Sequence, residues 1–132
     1  MRKILEVAAV KRAAINIKSK QINKLIQAVE SLKCALEDDD WAKRAIDLDL
    51  KFHEMIAEAS GNSRLNDEIK RYRLLVRAFC RITGNRLNLM DALEEHLKIL
   101  NSIKLGNVKA AANAMSSHID ARRDAVLKEF YS

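Results

Sequence analysis

Four side chains of this sequence could together bind a metal ion: Asp49, His53, His96 and His118. The chain contains only three histidines, and each falls on the apolar stripe of a different predicted helix. Asp49 and His53 are four residues apart, so their side chains lie on one helix face and can reach a common point. An ionised carboxylate removed from water needs a partner, and a divalent cation would pair with it while using neutral imidazoles. The pattern therefore indicates a metal site inside the fold.

The chemistry of this donor set leaves the metal open. Three imidazole nitrogens and one carboxylate suit zinc, our first candidate, and also nickel, manganese or iron. An octahedral ion would keep two free positions, where a small carboxylate could bind. Two other interpretations remain open at this point. In one, Asp49 and His53 form an ion pair and the other two histidines are buried separately; in the other, a rotated helix places Asp49 at the surface.

Motifs of enzymes are incomplete around the same residues. The residue three positions before each histidine is Leu or Met, so the ExxH signature of di-iron bundles is missing. His53-Glu54 begins like a zincin motif, but Ala57 stands where the second histidine belongs. The sequence also lacks GxSxG, P-loop and GxGxxG motifs. We therefore expect that the protein is not an enzyme. The alternative is a metal-dependent hydrolase or lyase that uses the same four residues.

Length and composition predict a single all-α domain. The chain has 132 residues, which suits one domain of roughly 100–150 residues. It has no proline and three glycines, whereas all-β chains need many turns built from those residues. Apolar spacing predicts six helices, over about 1–15, 19–37, 40–60, 63–82, 88–104 and 107–130. Short connections then predict an antiparallel helical bundle in which sequential helices are neighbours.

Glycines and small polar residues predict where these helices begin and end. Each glycine follows a long stretch of apolar spacing, where a left-handed C-cap is expected. The glycines are Gly61, Gly84 and Gly106. Asn62 and Asn107 follow two of them and can accept hydrogen bonds from the first N–H groups of the next helix. Ser19 and Asp40 are the predicted N-caps of the second and third helices.

Charge and cysteine content exclude several other classes of protein. The net charge is +6, but both signs are interleaved, which is typical of solvated helices rather than of a nucleic-acid surface. Cys34 and Cys80 are far apart without a CxxC pair, so we expect reduced, buried thiols. No stretch approaches the ~20 apolar residues of a membrane span, and the start of the chain does not read as a signal peptide. These features predict a cytoplasmic protein without a membrane partner.

Three segments resemble a known family. They are DLKFHEMIAEASGN over 49–62, EEHLKILNSI over 94–103 and AANAMSSHI over 111–119. They resemble the FCD domain, the C-terminal effector-binding domain of the FadR subfamily of GntR transcription regulators. RKILE over 2–6 is similar to the R-x-x-L-E at the start of that domain. The resemblance implies that residues 1–132 form one all-helical effector-binding domain, which in this family usually dimerises.

The resemblance also implies roles for individual residues. Metal-binding members use an aspartate and three histidines, which correspond here to Asp49, His53, His96 and His118. Their effectors are mostly small carboxylates, such as hydroxy acids, sugar acids and dicarboxylates, and arginines usually assist. The corresponding arginine here is Arg77, which lies near two leucines in the fourth predicted helix. A surface position for Arg77 is the alternative.

One departure from the family pattern concerns DNA. Regulators of this family carry a winged helix-turn-helix of roughly seventy residues before this domain, and this sequence contains no helix-turn-helix signature. We therefore expect DNA contact only through a winged-helix domain that this chain lacks. The chain would then be either a truncated piece of a regulator or a stand-alone sensor. In both cases the prediction is a metal-dependent carboxylate sensor that forms homodimers.

Overall fold

The computed structural model describes residues 2–83 and 85–131, which form six α-helices. The side chains of these residues are also described, except those of residues 2, 72, 76–83 and 129–131. The helices are α1 (Arg2–Asn16), α2 (Ser19–Lys33), α3 (Trp41–Ala59), α4 (Ser63–Thr83), α5 (Arg86–Lys104) and α6 (Val108–Tyr131). The predicted all-α bundle of six helices is confirmed. No helix in the described parts of the chain is long and apolar enough to cross a membrane.

The largest difference from the predicted boundaries concerns the end of α2. That helix ends at Lys33, four residues before the predicted end, and residues 34–40 form turns. The indole nitrogen of Trp41 donates a hydrogen bond to the carbonyl oxygen of Leu32 at 2.7 Å. This bond joins the first residue of α3 to the last turn of α2, so the acidic run 37–40 serves as a connection instead of prolonging the helix.

Two of the predicted glycine caps are present. Gly61 and Gly106 have φ values of +71° and +72°, the left-handed region that favours glycine. The side chains of Asn62 and Asn107 then accept hydrogen bonds from the backbone N–H groups three residues later, each at 3.0 Å. Gly84 lies outside the described residues. These caps end α3 and α5 and start α4 and α6, and three of these helices, α3, α5 and α6, carry the histidines.

The predicted N-caps differ in outcome. Asp40 occupies the N-cap position of α3, as predicted, although its side chain makes no capping hydrogen bond. The prediction for Ser19 is wrong by one residue, because Ser19 is already helical and Lys18 occupies the N-cap position. Gln21 bonds the backbone of Lys18 instead, with its side-chain oxygen 3.4 Å from the Lys18 nitrogen.

Helix α1 lies in the centre of the bundle. It packs against α3, α4, α5 and α6, while α2 packs against α5 and α3. The buried face of α1 carries mostly small side chains, Ala9, Val10 and Ala13, which let neighbouring helices approach closely. Sequential packing holds for α2 with α3, α3 with α4, and α5 with α6. Among the described residues, however, α1 packs mainly against α6 and α3 rather than α2.

The expectation of buried thiols is wrong for Cys34, which is exposed in the turn after α2. Cys34 follows the exposed residues Glu30 and Ser31 by four and three positions, so helical spacing places it on the solvent face of α2 and not on the buried face. The side chain of Cys80 lies outside the described residues.

Candidate metal centre

The structure brings Asp49, His53, His96 and His118 together between α3, α5 and α6. One potential ligand atom from each residue lies within 4.8 Å of the others. The three histidines are at most 1% exposed, and the side chain of Asp49 is 20% exposed. The predicted convergence is therefore confirmed as a candidate metal site.

Helical spacing explains how α3 presents two of these residues. Ala45, Ile46 and Ile56 are buried on the face that carries Asp49 and His53. The carboxylate oxygen Oδ1 of Asp49 lies 3.5 Å from Nε2 of His53. The alternative with Asp49 turned to the surface is therefore excluded.

His96 on α5 is the histidine closest to the carboxylate. Its Nε2 lies 3.0 Å from Oδ1 of Asp49. Its ring stacks on Phe52, with ring centres 4.1 Å apart and planes 18° apart. Its Nδ1 has no hydrogen-bond partner among the described residues. The ring of Phe52 thus orients the imidazole of His96. The contact of His96 with Asp49 excludes the alternative in which His96 and His118 are both buried apart from the Asp49–His53 pair.

His53 and His118 face each other through the same ring atom. Their Nε2 atoms are 3.4 Å apart. The Nδ1 of His53 contacts the carboxylate of Glu6 on α1, and the Nδ1 of His118 lies 2.6 Å from the carboxylate of Glu95 on α5. A carboxylate accepts a hydrogen bond from Nδ1–H, and a neutral imidazole has only one N–H. In the neutral form both Nε2 atoms therefore present lone pairs to one point, which is the arrangement that a cation requires.

Glu95 also joins α5 to α6 through an arginine. Arg122 donates from Nε and Nη2 to the two carboxylate oxygens of Glu95, both at 3.0 Å. Its Nη1 donates to the carbonyl oxygen of Asn88 at 2.9 Å. This bidentate pair holds the carboxylate in the plane of the guanidinium, so the orientation of His118 is set by two further side chains.

A buried arginine on α4 contacts the only carboxylate among the four residues. Nη2 of Arg73 pairs with Oδ2 of Asp49, and Arg73 is 1% exposed. Oδ1 of the same carboxylate faces the histidines. The two oxygens of Asp49 thus have different partners, a guanidinium on one side and imidazoles on the other.

The pKa values of these groups follow from burial and charge. Burial acts to raise the pKa of the Asp49 carboxyl, but Arg73 and the neighbouring histidines hold it well below its usual value. Burial lowers the pKa of His96, against the effect of Asp49. Burial, with the adjacent histidines, lowers the pKa of His118 still further. The site therefore favours an ionised aspartate beside neutral imidazoles, which is the protonation state that metal binding needs.

The outer side of the site opens to a groove. Burial raises the pKa of Glu95 in spite of Arg122, yet its side chain is still 22% exposed. A groove of about 340 Å³ between α5 and α6 is lined by Glu95, His118, Lys98 and Ser117. Solvent can therefore approach the histidine of α6 from this direction, whereas the Glu6 side is closed.

Sequence reasoning missed two carboxylates, Glu6 and Glu95, and the buried Arg73, which contact the four residues. Glu6 precedes buried Ala9 and Val10 by three and four residues, and Arg73 follows buried Ile69 by four, so helical spacing could have placed both inside. Arg77 was predicted to bind the effector, and its side chain lies outside the described residues. The leucines beside it in sequence, Leu74 and Leu75, are exposed.

The sequence matches a known protein family. A protein-family model, that of the FCD domain, matches residues 1–121. The matched region spans α1 to α5 and the first half of α6, so it contains all four residues of the candidate site. No curated protein matches the chain.

Proposed function

The chain belongs to the FCD domain family, and on that premise we propose that it is a metal-dependent sensor of small carboxylates. FCD domains are the effector-binding domains of GntR-family transcription regulators, which are generally not enzymes. We propose Asp49, His53, His96 and His118 as the metal ligands, with zinc as the first candidate and nickel, manganese or iron as alternatives. The bound cation would act as a Lewis acid toward a carboxylate oxygen of the effector.

The observation that carries this proposal is the pair of Nε2 atoms of His53 and His118, 3.4 Å apart. Each ring has a carboxylate at its other nitrogen, so neither Nε2 carries a hydrogen for the other when the rings are neutral. Two lone pairs facing each other in a buried place repel unless a positive charge lies near both. A divalent cation, with Asp49 and His96 as further ligands, removes that repulsion.

The charges around the site favour an anionic effector. Among the described residues, three carboxylates and two guanidiniums surround the histidines: Asp49, Glu6, Glu95, Arg73 and Arg122. A divalent cation would add two positive charges to this buried cluster. A small carboxylate would offset part of that charge, and a neutral ligand would not. Arg77 remains the proposed effector-binding arginine, one helical turn beyond Arg73.

We also propose that the domain dimerises and acts on DNA through a winged-helix domain. The exposed leucines of α4, Leu74 at 63% and Leu75 at 73%, support a protein contact, because neighbouring exposed leucines are typical of interaction surfaces. Effector binding would shift the helices around the metal site and, in an intact regulator, the positions of two DNA-binding domains. Such coupling is typically about 1–3 kcal/mol. The proposed location is the cytoplasm.

Metal analysis and thermal unfolding test the proposal. Protein purified without chelator should contain about one divalent ion per chain by elemental analysis. EDTA should lower its melting temperature by several degrees, since a ligand that binds only the folded state at 100 times its Kd stabilises by about 2.7 kcal/mol. His96→Gln keeps a polar side chain but loses the imidazole, and its melting temperature should not respond to EDTA. An unmodified protein that contains no metal and melts identically with EDTA would refute the proposal.

A second series tests the effector class. Lactate, a sugar acid and succinate are added to zinc-loaded and to EDTA-treated protein, with the matched amides as controls. At least one carboxylate should raise the melting temperature of the zinc-loaded protein only, because its carboxylate needs the cation. Equal shifts with acids and amides would contradict carboxylate sensing.

A further inference from the structure

Glu6 is a buried acid on the central helix that supplies none of the four candidate ligands. Its side chain is 2% exposed, and its carboxylate contacts Nδ1 of His53. Burying an ionised carboxylate is unfavourable, so such a group persists where it has a specific partner. Its neighbours on the same helical face are the apolar residues Ala9, Val10 and Ala13. The position of Glu6 therefore calls for an explanation beyond packing.

We propose that Glu6 is a positioning residue that fixes the tautomer of His53 and thereby links α1 to the metal centre. The inference rests on the proposed function, because it concerns metal binding by the same site. By accepting a hydrogen bond from Nδ1–H, the Glu6 carboxylate keeps the proton on that nitrogen. Nε2 of His53 then carries the lone pair that binds the cation.

The geometry at the other nitrogen agrees with this role. Nε2 of His53 lies 3.5 Å from Oδ1 of Asp49 and 3.4 Å from Nε2 of His118. If the proton moved to Nε2, it would point into the space that the ligand atoms share, and His53 could not contribute to a metal site. A carboxylate at Nδ1 prevents this state, since it has no hydrogen to donate when ionised.

The consequence for the fold concerns α1. This helix packs against α3, α4, α5 and α6, and its described polar contacts to these helices include the Lys3 to Asp120 pair, the Arg12 to Ser60 bond and Glu6 with His53. Only the last of the three reaches the candidate ligands. Occupation of the metal site therefore strengthens the contact of α1 with α3 through Glu6.

Zinc affinity provides the test. Glu6→Gln removes the charge with little change of shape, and carboxylates that orient metal-bound histidines typically change metal affinity by about 10–100-fold. Zinc dissociation constants are measured by competition with a chromophoric chelator at pH 7.5. Glu58→Gln is the matched control, because Glu58 lies on α3 with its side chain 59% exposed and loses the same charge. We expect the weaker affinity in the Glu6 variant only.

A second measurement needs no variant and so does not depend on its folding. Long-range ¹H–¹⁵N correlation of the zinc-loaded protein should show His53 with its proton on Nδ1 and zinc on Nε2. The opposite tautomer, or equal zinc affinity of the Glu6→Gln and unmodified proteins, would overturn the role of Glu6 alone. If the unmodified protein did not bind zinc, the proposed function and this inference would both be refuted.

Discussion

The two sides of the candidate metal centre use the same chemistry in different surroundings. We call Glu6, His53 and Arg73 the α1 side, and Glu95, His118 and Arg122 the α6 side. Each side has a histidine with a carboxylate at Nδ1 and a guanidinium that pairs with a carboxylate. On the α1 side Glu6 and Arg73 are at most 2% exposed, whereas the side chains of Glu95 and Arg122 are 22% and 18% exposed.

Because of this difference in exposure, the α1 side can hold the site in a fixed position, whereas the α6 side gives access to it. Water cannot replace a lost partner on the α1 side, so each contact there should contribute more to stability. On the α6 side the groove along Glu95 admits solvent, so water can replace part of a lost contact. The proposed sensor function needs both properties, since the site must be held in position and an effector must reach it.

The largest expected difference between the two sides is in the stability lost when Arg73 or Arg122 is replaced. Arg73→Met should lower the free energy of unfolding by about 3–5 kcal/mol, because it leaves the Asp49 carboxylate without its buried cation. Arg122→Met should lower it by only about 1–2 kcal/mol, since water reaches Glu95. Urea unfolding at pH 7 with EDTA measures both. Equal losses would show that burial does not distinguish the two sides.

The pH dependence of the metal-free protein sharpens the comparison further. The pKa values of His96 and His118 are lowered by burial, so the unfolded state binds more protons than the folded state below the ordinary value of about 6.5. Stability should therefore be constant above about pH 7 and fall below pH 6.5, by up to about 1.4 kcal/mol per pH unit for each histidine.

The carboxylate of the α6 side, Glu95, changes stability in the opposite direction as the pH falls. The pKa of Glu95 is raised by burial, so the folded state binds more protons there and acid relieves an unfavourable charge. The decline in stability should become less steep where the folded protein begins to protonate Glu95, above the ordinary glutamate pKa of 4.5, and Glu95→Gln should lack this change of slope. Urea unfolding at half-unit pH steps with EDTA measures both curves. A stability that rises from pH 7 to 5.5 would contradict the assignment of neutral histidines.

Replacing Glu6 or Glu95, the carboxylates at the two Nδ1 atoms, should weaken zinc binding to different extents. This difference should be smaller than the difference in stability between the two arginine variants. Glu95→Gln should weaken zinc binding by about 10-fold, at the lower end of the range for such residues, because Arg122 and water retain part of the local order. The loss for Glu6→Gln should be larger. Competition titrations of the two variants side by side give the ratio, and a larger loss for Glu95→Gln would reverse our ranking of the two sides.

The sequence was sufficient to predict the helices and the meeting of Asp49 with the histidines, because both depend on helical spacing. Their charged surroundings were not predicted. Whether Glu6 and Arg73 point inward depends on which helix covers them, and α1 proved to be central although its neighbour in sequence is α2. The end of α2 was predicted too late, because the contact of Trp41 with Leu32 is tertiary and leaves no local signal.

The smallest expected effect comes from a surface contact that also joins α1 and α6. Nζ of Lys3 lies 3.0 Å from Oδ2 of Asp120, with side chains 46% and 37% exposed. Lys3→Gln should change the free energy of unfolding by less than about 0.5 kcal/mol, because exposed ion pairs are well solvated. Urea unfolding in 0.05 M and 0.5 M NaCl measures this change and its screening. If this variant lost as much stability as Arg73→Met, the number of links between helices, and not their burial, would determine how firmly α1 is held.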